Sequence, residues 1–447
     1  MVERGGVSMG GRRDFLKMAA GGVLAGFPAI VPSSALGRDG YPAPSDRIVM
    51  GSIGVGRQGT GDMRGFLNEQ DARVAAVCDV RQSSRERAAT LVNQRNGDQQ
   101  CALHSDYREL LARRDIDAVL IATGERWHPL VCIEAARQGK HMFCEKPLSL
   151  SVAEAQAVRQ AVTRSGVAFQ CGTQQRSSFY YRHAVELVRN KRIGELETIM
   201  IGSVGGGGNG SMMGRVQNPP LDIDYEMWLG PSPWAPYRDI VVNTTAWLFM
   251  SDYGLGCIDG AWGIHDGDIA QWLHGDTTTP VEVEASGKFY TDLRDTPYQW
   301  TAEQKYANGV RLLHMDMVTA KQRASQFNLL PSIGATVIFG SEGWIYVSRE
   351  GIITHPAKLA AETIGPNQIQ VIRSDNHRLN LLQAIRGGQK TISPVDNAAR
   401  DQMVVQQEYI ALCLGRKLRW DPAREEFSGD AEANRLLSRP MRSPWRI

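Results

Sequence analysis

A chain of 447 residues has room for two or three domains and far exceeds what a staple-dependent peptide needs to bury a core. Hydrophobic residues make up 42% and charged residues 22%. Fifty basic against 48 acidic side chains leave a formal charge of +2, which gives no reason to expect nucleic acid or an anionic membrane as partner. The seven cysteines (Cys78, Cys101, Cys132, Cys144, Cys171, Cys257 and Cys413) are odd in number and never form a C-x-x-C pair. That pattern argues against a zinc site and a disulfide framework, and the thiols read as free and buried.

Residues 1–37 read as a twin-arginine export signal. Arg12-Arg13-Asp14-Phe15-Leu16-Lys17 precedes a weakly apolar run from Met18 to Ile30, and the small residues Ser33, Ser34 and Ala35 suit a signal peptidase. The run is shorter than the ~20 residues a bilayer span needs, so no membrane attachment is expected after processing, and a periplasmic or secreted location follows. Residues 38–46, with Gly40, Pro42 and Pro44, read as a linker.

From Arg47 onward, short apolar runs alternate with amphipathic stretches: Ile48 to Ile53, Val74 to Val77, Ala118 to Ala122, His141 to Cys144 and Val167 to Phe169. This spacing predicts parallel strands joined by helices, a Rossmann dinucleotide-binding domain over 47–168. Ser151-Val152-Ala153-Glu154 has the form of a capping box and predicts a helix through Val162 that closes this domain. Beyond it, 169–447 reads as an α+β domain for substrate binding and oligomerisation. It contains a helix at Tyr181 to Asn190, a glycine loop at Gly205 to Gly210, and alternating segments at Val281 to Phe289, Arg311 to Met317 and Ala335 to Val347. These segments predict a mostly antiparallel open sheet. A helix at Asp375 to Ile385, capped by Asp375 and stopped by Gly387-Gly388, follows.

Gly54-Val55-Gly56-Arg57-Gln58-Gly59 directly follows the first predicted strand, and Asp79 stands at the end of the second, 20 residues after Gly59. Glycines let backbone N–H groups approach a pyrophosphate at a helix N-terminus, and a carboxylate at the next strand tip accepts hydrogen bonds from the adenosine ribose. Asp79 would repel a ribose 2′-phosphate, which favours NAD over NADP. Arg57 and Arg81 weaken that preference, because either can pair with a phosphate.

Two further strand ends carry chemistry-bearing residues: Glu145-Lys146-Pro147, and Thr123-Gly124-Glu125-Arg126-Trp127-His128-Pro129. With the glycine turn, Gly172-Thr173-Gln174-Gln175-Arg176, Trp228-Leu229-Gly230-Pro231 and Gly263-Ile264-His265-Asp266-Gly267-Asp268, they make the chain resemble the Gfo/Idh/MocA oxidoreductases. That family includes glucose–fructose oxidoreductase and inositol dehydrogenase. The C-terminal Gly415-Arg416-Lys417-Leu418-Arg419-Trp420 is similar to its exported bacterial branch.

The resemblance implies a nicotinamide-dependent enzyme acting on a sugar, polyol or glycoside carbinol. His265 is then the general acid/base, and Lys146 steadies the developing alkoxide. It implies cofactor contacts from Gly54, Gly56, Arg57, Gln58, Gly59, Asp79, Thr123, Trp127, His128, Glu145, Lys146 and Gln174. Substrate contacts are expected from Lys146, Arg176, Trp262, His265 and Asp268, Trp262 because it adjoins His265 and Asp268 because it lies three residues along the same helix face. Of the second-domain aromatics (Tyr180, Tyr181, Trp228, Trp234, Tyr237, Trp247 and Trp262), most are expected in the core. No metal ligand set is expected.

Relatives carry an aspartate four residues before the histidine, where this chain has Ala261. Asp259 could replace it only with a rearranged backbone, so the imidazole should be less basic than in those relatives. Export adds a constraint, since no ready pool of soluble NAD lies outside the cytoplasm. Tightly held, recycled cofactor is expected, serving either coupled oxidation and reduction of two sugars or a transient keto-sugar step in a glycosidase or epimerase. A non-catalytic sugar-binding protein is the third reading, supported by Ala261 alone. The resemblance also implies a homo-oligomer, dimer or tetramer.

Overall fold

The structure is a computed structural model that describes residues 46–205, 212–260, 262–325, 332 and 334–447. The export signal, all but the last residue of the linker, most of the expected glycine loop and Ala261 lie outside the described residues. Ile48–Ile447 form one compact unit.

The first half alternates strand and helix: β1 (Ile48–Ile53), α1 (Arg57–Asn68), β2 (Ala72–Cys78), α2 (Gln82–Asn96), β3 (Ala102–His104), α3 (Tyr107–Leu111), β4 (Ala118–Ile121), α4 (His128–Arg137), β5 (His141–Cys144), α5 (Val152–Ser165) and β6 (Phe169–Cys171). All strand pairings are parallel, in the order β3-β2-β1-β4-β5-β6. The order reverses between β1 and β4, and this opens a crevice beyond their carboxyl ends. β4 is buried at every position because helices cover both faces, which is why it reads as a continuous apolar run rather than an alternating one.

The second half supplies α6 (Phe179–Arg189), β7 (Leu196–Ser203), α7 (Gly263–His274), β8 (Glu282–Phe289), β9 (Pro297–Lys305), β10 (Arg311–Asp316), α8 (Met317–Ala324), β11 (Thr336–Gly340), β12 (Gly343–Val347), β13 (Ile352–His355), α9 (His377–Gly387), α10 (Val395–Leu414), β14 (Leu418–Asp421) and β15 (Glu426–Phe427). Its nine-stranded sheet is antiparallel except for the β7–β10 pair. The expected Rossmann domain followed by a mostly antiparallel domain is therefore the fold observed.

Several details differ from the sequence reading. β3 is too short and too exposed to leave an apolar signature. The stretch from Ala335 to Val347 is two strands, turned at Ser341-Glu342. Ser151 does cap α5 by accepting from Glu154 N–H, but Glu154 Oε2 accepts from Leu150 N–H at 2.9 Å, one residue ahead of the expected box. The helix placed at Asp375 begins at His377. Asn376 caps it with two 3.1 Å bonds, while Asp375 pairs with Arg373.

The parallel sheet also takes β6, beyond residue 168, and the chain's C-terminal part returns to complete the first half. Leu381 and Leu382 of α9 lie in one core with Met50, Leu120 and Phe143, and Val395, Ala398 and Ala399 of α10 lie in the core on the other face. The nucleotide half is thus closed by helices more than 200 residues downstream of its own strands. Leu381→Ala is expected to destabilise the chain by about 2–5 kcal/mol. Denaturant unfolding should show one shifted transition, monitored at the tryptophans of both halves; an unshifted first-half transition would contradict the shared core.

Candidate functional site

Two cavities meet at the carboxyl ends of β1, β4 and β5. One, of about 230 Å³, is lined by Gly54, Asp79, Arg81, Ser84, Tyr107 and Trp127 among others. The other, of about 700 Å³, runs past Arg57, Gln58, Glu125, His128, Glu145 and Lys146 to Trp247 and Gly260. They share Gly56, Ala122, Thr123 and Arg126. Two linked compartments spanning the switch point suit a two-part ligand better than a compact one.

The glycine turn joins them. Gly54 has φ +80°, and a Cβ there would sit 2.5 Å from the Ala122 carbonyl oxygen, while one on Gly59 would sit 1.9 Å from the Gly54 oxygen. Both positions are closed by backbone. A Cβ on Gly56 would meet nothing within 4 Å, and Gly56 caps α1 with no side-chain bond to the first-turn N–H groups. This leaves open space at a 12-residue helix's positive end, the requirement for a pyrophosphate. Asp79 is largely buried, and burial pushes its carboxyl up, opposed by backbone N–H bonds from Arg81 and Val55, each 2.9 Å. Arg81 is held by Asp222 and Asn243. The residues present therefore fit a dinucleotide.

In the larger cavity, Lys146 Nζ donates to the Gly260 carbonyl at 2.8 Å, which ties the tip of β5 to the segment entering α7. Glu145 is buried and pushed up to about 8 by desolvation and by Asp62, with which it shares a hydrogen bond. Asp62, on the buried face of α1, also accepts from Gln58 (2.9 Å), from Arg378 of α9 (2.6 Å) and from Gln174 (3.4 Å); Gln174 reaches Glu145 at 3.2 Å. Two buried carboxyls in hydrogen-bond contact require a proton between them. The raised pKa of Glu145 places that proton on Glu145. His128 Nδ1 donates to the Pro147 carbonyl at 2.7 Å. Burial depresses this ring to about 4, so it stays neutral, and its Nε2 has no partner among the described residues. Thr123 Oγ1 is likewise unpartnered.

His265 is buried on the first turn of α7. Desolvation, with Lys146, Arg349 and His377 nearby, holds its pKa well below the ordinary histidine range, so it is a neutral proton acceptor. Its Nδ1 has no partner among the described residues. This agrees with the sequence reading that the imidazole lacks a supporting carboxylate. Asp259 is instead held by Gln402, at 2.7 Å.

Five expected contacts lie elsewhere. Arg176 and Asp268 are 1% and 0% exposed, and they pair at 2.7 Å while Arg176 also grips Asp276 at 2.8 Å. They form a core ion pair, not a substrate surface, because the face of α7 bearing Asp268 turns inward. Trp127 lines the smaller cavity rather than the nicotinamide end: its Nε1 donates to Met227 O at 3.0 Å, and its ring is wedged against Gly230. Trp262 and His265 lie outside the residues lining the larger cavity, with Trp262 under Arg349 at 4.5 Å. Trp228 and Trp247 do line it, and Arg126 lies over both rings.

Sequence reasoning missed Asp62, Glu125, Arg378 and Gln402. Asp62 carried a signal, a carboxylate between Gly59, Met63 and Phe66 on an apolar helix face. Glu125 carried one too, a charge at a strand tip. Arg378 and Gln402 carried none. Among the described residues no group of three or more potential ligands forms a metal site, and no helix is long and apolar enough to cross a membrane.

Fold and cradle together define a two-domain dinucleotide-binding protein. Residues 48–173 match the Gfo/Idh/MocA oxidoreductase family with its NAD-binding Rossmann fold, and 208–447 match that family's C-terminal α/β domain. The chain belongs to this family, and its cofactor is NAD.

A glycosyl hydrolase family 109 protein of Shewanella sp. (strain W3-18-1) is 28% identical over 318 residues, 67% of this chain. The chain spans 64% of that relative's length. An uncharacterised oxidoreductase of Bacillus subtilis (strain 168) is 30% identical over 54% of this chain and 57% of its own. Among solved structures, a putative NADPH-dependent oxidoreductase of Desulfitobacterium hafniense shares the fold with TM-score 0.60 at 18% identity, covering 84% of this chain and 98% of its own. Scyllo-inositol dehydrogenase of Lactobacillus casei, with bound NAD(H) and scyllo-inositol, does so with TM-score 0.57 at 17% identity, covering 83% and 99%.

Two predictions follow from this geometry. Gly56→Ala is expected to leave thermal stability unchanged and weaken NAD binding about tenfold or more by calorimetry, whereas Gly59→Ala should lower stability as well, since its Cβ meets backbone. Equal effects of the two would contradict the cradle. Glu125, Glu145, Asp259 and Asp266 are pushed up to about 7, 8, 8 and 7 by burial, and His314 is raised by Glu408 once its own burial is overcome. Between about pH 6.5 and 8 these groups bind more protons folded than unfolded, so stability should fall as pH rises through that window. Below it, the depressed histidines His128, His265 and His377 oppose the trend. Thermal midpoints of the cofactor-free protein across this range test the sign.

Proposed function

We propose that the protein catalyses NAD-dependent redox chemistry at a carbinol of a sugar, polyol or glycoside, with the cofactor held and recycled within the cycle. The carrying observation is the pair of linked cavities that runs from the open Gly56 cradle to Lys146 and the partnerless Nε2 of His128. Bound NAD supplies the hydride acceptor. The chain's residues supply the rest: Asp79 takes the adenosine ribose, the N-terminus of α1 takes the pyrophosphate, and Glu145 as a protonated acid donates to the cofactor's nicotinamide end. Lys146 presents an ammonium to the oxygen on which charge develops. The neutral imidazole of His265 accepts a hydrogen bond on the α7 side. Asp79, with Arg81 already engaged by Asp222 and Asn243, favours NAD over NADP.

The family 109 glycosyl hydrolase relatives support a second reading, in which a transient keto-sugar activates elimination, hydrolysis or epimerisation. Under either reading the twin-arginine signal carries folded, cofactor-loaded protein to the periplasm or medium, and the mature chain assembles as a dimer or tetramer.

The test is native mass spectrometry of the mature protein, followed by absorbance of its nicotinamide on addition of aldoses, inositols and aryl glycosides. Retained NAD that is reduced by a sugar or polyol is the expected result. Aryl-glycoside cleavage without net reduction selects the second reading. Retained NAD that no sugar reduces, with no cleavage, overturns both and leaves a sugar-binding protein.

A further inference from the structure

Glu125 stands just after β4 in the wall of the larger cavity and is 2% exposed. Neither carboxyl oxygen has a hydrogen-bond partner among the described residues. Its Oε1 lies against Gly260, where an added Cβ would come within 2.5 Å of it, and the carbonyl of the same Gly260 receives the Lys146 ammonium. The glycine therefore brings a buried carboxyl and the ammonium to one residue. Asp259, next in the chain and fully buried, is a second carboxyl here, with one oxygen on Gln402 and the other unpartnered.

An unpartnered buried carboxyl is costly as an anion and persists where its proton can come and go. Arg126 is the other cation near Glu125. It is turned toward Trp228, donating to that residue's carbonyl at 2.9 Å and lying over its ring, and it does not bond the carboxyl.

We propose that Glu125 is the proton store of this site: it receives, through Lys146, the proton released from a substrate hydroxyl and returns it when the carbinol is remade. This rests on the redox reading above. Oxidation of the carbinol removes a hydride from carbon, which the nicotinamide takes with its electron pair, and a proton from oxygen. The O–H bond breaks as that proton passes to the Lys146 side chain, whose ammonium gives one of its own protons to the Glu125 carboxylate in the same transfer. The lysine is an ammonium before and after, and the Glu125 carboxylate ends as the carboxylic acid. Reduction runs the same bonds backwards, so a cycle that keeps its hydride also keeps its proton. Burial raises Glu125 to about 7, offset in part by Lys146 and Arg126. Asp259 is raised to about 8 by its own burial and by Glu125 and Glu408. Both protonation states of Glu125 are therefore populated near neutrality. Because it acts through Lys146, Glu125 is a positioning and relay residue rather than a contact to substrate.

The test uses the mature NAD-loaded protein, with Glu125→Gln and Glu125→Asp. Infrared difference spectra across a pH titration should show, in wild type, buried carboxylic-acid carbonyl intensity that titrates near 7, of which one carboxyl's share is lost in Glu125→Gln and retained, shifted, in Glu125→Asp. With the sugar that reduces the wild-type cofactor, Glu125→Gln should lower kcat about 10- to 100-fold, with little change in KM and loss of the pH-profile limb near neutrality. Glu125→Asp should restore part of the rate. NAD content by mass spectrometry and the thermal midpoint, which report folding, should stay at wild-type values. Titrating intensity unchanged in Glu125→Gln, or an unaltered pH profile, overturns the proposal while the redox reading stands. A wild-type band with no sugar able to reduce the cofactor overturns the redox reading and with it the relay.

Discussion

The contact on which the rest of the site depends is the 2.8 Å hydrogen bond from Lys146 Nζ to the Gly260 carbonyl. It joins the tip of a strand in the nucleotide half to the backbone just before α7 in the other half. A side chain at position 260 would displace the Glu125 carboxyl, because a Cβ there would come within 2.5 Å of its Oε1. Lysine, glycine and glutamate are thus one constraint: moving any of them opens the seam between the halves at the point where chemistry would occur.

Around that seam the protein buries more acid than base. Glu125, Glu145, Asp259 and Asp266 all lie below 5% exposure, and burial raises each of them. Such a cluster persists only if protons replace missing cations, or if neutral donors carry part of the load. Both devices are present. Glu145 shares a proton with Asp62, whose own charge Arg378 compensates, while Asp259 leans on the Gln402 amide and Asp266 on the Ser203 hydroxyl. The histidines respond oppositely, with His265 and His128 held neutral by the same desolvation and by the nearby ammonium. An acid population that carries protons beside imidazoles that lack them is the distribution a proton-transfer site needs.

What the sequence revealed and what it hid divide along chain distance. The glycine turn, Asp79 and Glu145-Lys146-Pro147 were legible because each acts within a few residues of a strand end, where pattern and position coincide. Arg176 and Asp268 were misread for the complementary reason. Helical spacing put Asp268 on the face of His265, but which way that face turns is decided by Arg176, 92 residues earlier, and by Asp276. Arg378 on Asp62 and Gln402 on Asp259 bridge 316 and 143 residues, and no local pattern announces such a pair. The cap of α9 failed on a smaller scale: Asp375 and Asn376 are both good caps, and the competing ion pair of Asp375 with Arg373 leaves the role to the amide.

The helices α9 and α10 explain why the fold tolerates so much buried charge. Each packs an apolar face into the nucleotide half, through Leu381 and Leu382 or through Val395, Ala398 and Ala399. Each also sends polar side chains to the site: Arg378 from the first, Gln402 from the second. Glu408, further along α10, accepts from His314 at 2.6 Å; that ring's other nitrogen meets Ser203, whose hydroxyl donates to Asp266 in α7 beside His265. The same element that closes the hydrophobic core therefore carries the outermost members of the buried polar network. Core packing fixes where those members stand, so the protonation of the site depends on a helix that touches neither cavity.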